Sequence, residues 1–222
     1  MTESKEVEIN TRDVKEKETF MAQKSLRTIQ IAGAAIFGAL SIVVSALTTP
    51  IIPRIPGWGM AIFDPISIIR MTCFLNFGLV AGILCCIIGS FGLLLFDPTG
   101  IGPIFKFSAT IPLVIVPSLV LKLFKRKQGE LNSPKLKVPK NFAFSGILAL
   151  ITRIIIMIIA NVIFFLFFAN LFDWAETPVG VEAWMLIIIF AIVVNAYQGA
   201  LDLIIPYLIV YKTKLDEKFE IW

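Results

Sequence analysis

Between Met71 and Phe96 lie 26 consecutive residues without a formal charge, and Thr28 to Pro53 forms a second uncharged run of the same length. An α-helix rises about 1.5 Å per residue, so about 20 apolar residues cross the ~30 Å hydrocarbon core of a bilayer. Lipid leaves backbone N–H and C=O groups no partner outside the chain, so repeated apolar runs of helical length predict an all-α membrane protein. Composition agrees: 57% of residues are hydrophobic and 16% charged, against about 25% charged in a soluble domain. The 222 residues suit about six spans, a tail and one long loop, with no room for a second globular domain.

Charge placement sets the expected topology. Met1 to Arg27 carries six acids and six bases with little apolar periodicity; it reads as a disordered cytoplasmic tail (1–27) rather than a signal peptide. Lys122 to Lys140 carries seven cations and one acid, Glu130, which marks a cytoplasmic loop. An even number of spans must separate tail from loop, so the apolar stretch after the first span is split at Asn76-Phe77-Gly78. The expected membrane domain is 28–212, with spans at about 28–49, 60–75, 78–95, 104–121, 142–168 and 183–210 and a cytoplasmic tail at 213–222. This places 16 of the 20 cations, and both termini, on the cytoplasmic side.

The sequence contains no histidine, which excludes His-based acid/base catalysis, the HExxH zinc motif and His-ligated haem. No catalytic residue, metal or cofactor is expected. Cys73, Cys85 and Cys86 sit inside apolar runs, where thiols pack as small hydrophobes. The net charge of +4 reflects cytoplasmic loops and does not imply nucleic acid.

Ionisable groups within the bilayer are costly and mark function or pairing. Arg153 on the fifth span and Asp202 on the sixth lie at similar depth from the cytoplasmic side and are expected to form a structural ion pair. Asp64, Asp97, Lys106, Asn161 and Asn195 gather toward the outer side as candidate substrate-binding groups. Trp58, between two glycines of a proline-rich loop, is a candidate lid that stacks on a flat ligand; Trp174 and Trp184 suit the interfacial belt. On the first span Ala34/Gly38 and Ala35/Ala39 stand four residues apart, a spacing that admits a second backbone closely and so suits a partner helix.

Together these features resemble the substrate-binding S components of energy-coupling factor (ECF) vitamin importers. The resemblance runs from about Ile29 to Tyr211. It rests on the Ala-rich first span, the proline-rich loop ending at Asp64-Pro65, the glycine-rich stretch Gly78 to Gly92, the Gly102-Pro103…Lys106 opening of the fourth span, and Asn195. It implies a six-helix protein of the plasma membrane that captures a vitamin or similar micronutrient from outside, with the loop after the first span as lid and the fourth to sixth spans forming the pocket. Ala35 and Ala39 would pack on a transmembrane coupling subunit driven by two cytoplasmic ATPases. Asp64-Pro65 and Lys106 look most like riboflavin-type members. The chain has no GxxxxGK[ST] phosphate loop, consistent with energy supplied by partners. Two other classes remain open: a stand-alone secondary carrier, for which inverted repeats are expected, and a small membrane enzyme or assembly factor acting on lipids.

Overall fold

The computed structural model describes residues 3–48, 51–53, 63–97, 100–123, 132–172, 175, 177–219 and 222, with side chains from Lys24 onward. In chain order the helices are α1 (Glu3–Thr48), α2 (Pro65–Leu93), α3 (Ile101–Leu123), α4 (Ser133–Lys137), α5 (Pro139–Phe167), α6 (Gly180–Tyr207) and α7 (Leu215–Phe219), and the described residues contain no strand. A 3₁₀ turn (Ala169–Leu171) follows α5 and a π-helical turn (Leu208–Lys212) extends α6. Five segments are long and apolar enough to cross a membrane: Lys24–Thr48, Pro65–Leu93, Ile101–Leu123, Pro139–Phe167 and Gly180–Lys212.

Two boundaries differ from the sequence-based expectation. Residues 3–27, expected to lack structure of their own, continue the helix of the first apolar run, since α1 begins at Glu3. The tail is rich in Glu and Lys, good helix formers, and extending an existing helix avoids the nucleation cost that an isolated segment faces. The stretch expected to hold the second and third spans is a single element, α2, interrupted at Gly78.

Gly78 has φ 89° and ψ −174°, a conformation essentially restricted to glycine. Across it, Cys73 Sγ lies 3.7 Å from the Ala81 carbonyl oxygen, and a Cβ on Gly89 would stand 2.9 Å from Arg70 Nη2. In a straight helix residues 70 and 89 would be about 28 Å apart, so the two halves of α2 lie side by side. Breaking a helix exposes carbonyls that need new donors. The Trp222 indole N–H donates to the Leu75 carbonyl at 3.1 Å and the Asn76 amide to that of Thr72 at 2.8 Å. The Trp222 ring also packs on Phe74, with centroids 5.2 Å apart.

The same end of the bundle gathers the short helices. Ser133 N–H donates to the Trp222 carbonyl at 2.8 Å; Tyr207 and Tyr211 hydroxyls donate to the carbonyls of Lys137 and Ser133 at 2.7 and 3.3 Å. Lys137 Nζ bridges Asp216 at 3.2 Å and Glu217 at 2.7 Å. Leu136, Phe142, Tyr211 and Trp222 join the main apolar core with Met71, Phe74, Leu113 and Val114.

The small residues of α1 divide by face. Ala34 is fully buried, and a Cβ on Gly38 would stand 2.9 Å from Ile88 Cβ, so these two serve packing between α1 and α2. Ala35 and Ala39 lie on the exposed side with Ile36, Leu40 and Val43. The stripe open to a partner is therefore narrower than the four residues expected from spacing, because residues one apart on a helix are rotated by about 100° and cannot share a narrow seam.

Candidate functional site

Two ion pairs join the long helices of the bundle among the described residues. At the start of α2, one Asp64 carboxylate oxygen accepts from the Ile66 N–H at 3.1 Å, capping the helix ahead of Pro65, while the other pairs with Lys106 Nζ of α3. An N-cap carboxylate suits both the free N–H groups and the positive end of the helix dipole. Asp64 thus joins two helices at one point. Its side chain is 11% exposed and that of Lys106 28%, so this pair is partly open. One turn further in, the Ser67 and Thr110 hydroxyls bond at 3.0 Å.

The second pair is closed. Arg153, the midpoint of α5, places Nη1 at 2.5 Å from Asp202 Oδ2 on α6, with both side chains under 5% exposed. The Arg153 Nε donates to Asn195 Oδ1 at 3.3 Å, and Nη2 lies 3.5 Å from Gln198 Oε1. Gly199 leaves room for the stem: a Cβ there would stand 3.3 Å from Arg153 Cδ. Several oxygens therefore share one guanidinium, which a desolvated cation requires. The Asn195 amide N–H donates to the Ala191 carbonyl at 2.8 Å.

Asn195 was expected with the outer group, apart from Arg153. The structure brings Asn195 onto Arg153. Asn161 lies on the same buried face of α5 as Arg153, about 12 Å along the axis, where its amide donates to the Met157 carbonyl at 2.7 Å. Asp97 is engaged at the start of α3, accepting from the Gly102 N–H at 3.1 Å. Trp58 and Trp174 lie outside the described residues.

An aromatic cluster joins α3, α5 and α6. Phe164 and Phe165 are buried with Ala169 and Ile187, and Phe105, Phe172 and Trp184 pack against them. Phe105 and Phe164 meet edge to face with centroids 5.9 Å apart. Among the described residues no group of three metal-ligating side chains forms.

Spacing from sequence did not single out Ser67, Thr110 or Gln198. Each was within reach of a helical rule: Ser67 stands three residues from Asp64, Thr110 four from Lys106, and Gln198 four from Asp202. Arg70 was also passed over. It is fully buried, and its three guanidinium nitrogens have no hydrogen-bond partner among the described residues.

Residues 30–210 match the family model "ECF transporter, substrate-specific component". No curated protein and no solved structure matches the chain.

Proposed function

Since the chain belongs to the ECF transporter substrate-specific component family, and is therefore a substrate-binding transporter subunit rather than an enzyme, we propose that it captures a vitamin or similar micronutrient at an outward-facing pocket. The observation that carries this reading is the Asp64–Lys106 pair, partly open where α2 meets α3, with Phe105, the chain neighbour of Lys106, in the aromatic cluster. Asp64, Lys106 and Asn161 orient the solute, the aromatic rings hold its flat face, and Trp58 closes over it; Asn195, expected among them, instead supports Arg153. Riboflavin is the first compound to test, because Asp64-Pro65 and Lys106 look most like the riboflavin-type members of the family.

The two halves of α2 act as separate crossings joined at Gly78, which makes six and puts both termini in the cytoplasm of a cell whose plasma membrane holds the protein. Ala35 and Ala39, exposed on α1, dock the coupling subunit, whose two ATPases supply energy. Arg153 and Asp202 hold α5 against α6 so that the pocket residues keep their register.

The test is an ultraviolet-visible spectrum of freshly purified protein, followed by thermal-shift measurements with riboflavin, thiamine, biotin and folate. A stoichiometric ligand without ATPase activity is expected, and Lys106→Gln should weaken its retention at least tenfold. Absence of any ligand response, or uptake by this chain alone in proteoliposomes, would overturn the reading.

A further inference from the structure

The described intramembrane side chains carry a charge imbalance. Asp64 is matched by Lys106 and Asp202 by Arg153, with N–O contacts in both cases. Arg70 has no such match: it is fully buried, and Nε, Nη1 and Nη2 lack a partner among the described residues. An ionised group taken out of water without pairing costs several kcal/mol, and arginine cannot escape by losing its proton. A guanidinium presents five donors in a planar fork that fits carboxylate and phosphate oxygens.

Its surroundings are built for close approach. Arg70 lies five residues inside the Pro65 end of α2, about 8 Å along the axis, and its guanidinium lies against Gly89 of the other half of α2. A Cβ on Gly89 would stand 2.9 Å from Nη2 and 3.0 Å from Nε, and it would also collide with the Ser41 hydroxyl of α1. Ser90, beside Gly89, has a buried hydroxyl that likewise lacks a partner among the described residues. Glycine at 89 thus keeps a guanidinium and a hydroxyl together.

We propose that Arg70, between the two halves of α2 and α1, is a binding group for a small oxyanion, a carboxylate or a phosphate. The anion supplies the negative charge that the described side chains do not. Its source is either the acidic group of the captured solute or a free phosphate. With the first source the inference rests on the substrate-capture reading, and the preferred solute then carries an acid group that riboflavin lacks.

The test uses the full chain in detergent at constant ionic strength, with thermal unfolding as the readout. Sodium phosphate is titrated against sodium chloride, and riboflavin 5′-phosphate and nicotinate are compared with riboflavin and nicotinamide. In the wild-type protein, phosphate or the acidic member of a pair should give a saturable stabilisation that chloride or the neutral member does not. Arg70→Gln should abolish this difference, and Arg70→Lys should keep part of it. Gly89→Ala, which displaces the guanidinium without changing charge, should weaken apparent affinity at least fivefold. Without anion, Arg70→Gln should melt at or above the wild-type temperature, because it removes an uncompensated charge. A response to phosphate alone identifies a free anion as the occupant and supports the site even if no vitamin binds. A response confined to the acidic solutes supports it with the solute as the source. Equal responses from acidic and neutral compounds, or an anion effect unchanged in both Arg70→Gln and Gly89→Ala, would overturn the proposal while leaving vitamin capture intact.

Discussion

Replacing Asp202 by Asn tests how the centre of the bundle is held together. The amide keeps an oxygen where Arg153 Nη1 now finds Oδ2 at 2.5 Å, so the change removes charge with little change of shape. Two unit charges about 4 Å apart attract by about 4 kcal/mol at an effective dielectric constant near 20, and removing one partner of a buried pair costs about 3–5 kcal/mol because the other charge is left uncompensated. An interhelical hydrogen bond in lipid averages only about 0.6 kcal/mol. Asp202→Asn should therefore destabilise by about 3–5 kcal/mol in reversible unfolding from mixed micelles if the charge dominates, and by less than about 1 kcal/mol if the polar contacts act as ordinary bonds. Arg153→Gln should cost a similar amount, and the double variant should recover at least about 2 kcal/mol relative to the sum. Additive losses, or a single loss below about 1 kcal/mol, would refute the claim that Arg153 and Asp202 hold α5 and α6 together as a charge pair.

Gly78→Ala forces a side chain into a glycine conformation and brings its Cβ to 2.9 Å from the Trp222 ring; backbone strain alone costs about 1–3 kcal/mol, and a fall in unfolding temperature with altered tryptophan fluorescence is expected. The Lys137–Glu217 clasp predicts a pH window. The hydrogen bond from Lys137 lowers the Glu217 carboxyl below its usual range, and the hydrogen bond to Glu217, with Asp216 adding to it, raises the Lys137 ammonium above its own. The clasp's small contribution is thus complete between the unfolded values of about 4.3 and 10.4; it is lost as pH falls through the lowered Glu217 value or rises through the raised Lys137 value. Amide exchange of 215–219, corrected for intrinsic rate, should accelerate relative to α5 at pH 3 compared with pH 7. Ala35→Leu combined with Ala39→Leu should leave unfolding temperature and ligand retention unchanged while reducing uptake with the coupling subunit and ATPases at least tenfold.

Much of the helical architecture can be read from residues 28–212 because it depends on local quantities. An uncharged run either is or is not long enough for the hydrocarbon core, and the positions of the four long apolar helices after α1 follow from that comparison within a few residues. The break at Gly78 falls where charge placement, which calls for an even number of spans between tail and basic loop, divides the apolar stretch. Tail helicity was not legible, because charge and low periodicity describe how a segment packs and leave open whether a neighbouring helix extends through it. Among the polar groups, cost is visible in sequence and partnership is not: Arg153, Asp202 and Lys106 all stand out as expensive to bury, but Asn195 joins Arg153 only through the relative rotation of α5 and α6.

Sequence alone established that this chain is helical, built of apolar runs suited to lipid, and burdened with a handful of side chains that lipid does not tolerate unaided. Those properties follow from composition and from the fixed rise of a helix. Tertiary structure alone decided that Ala34 and Gly38 turn inward while Ala35 and Ala39 stay open, that Trp222 seats against the bend of α2, and that Arg70 has no partner among the described side chains. Each of these depends on which neighbour faces a given side of a helix, and that is set by the packing of several helices at once.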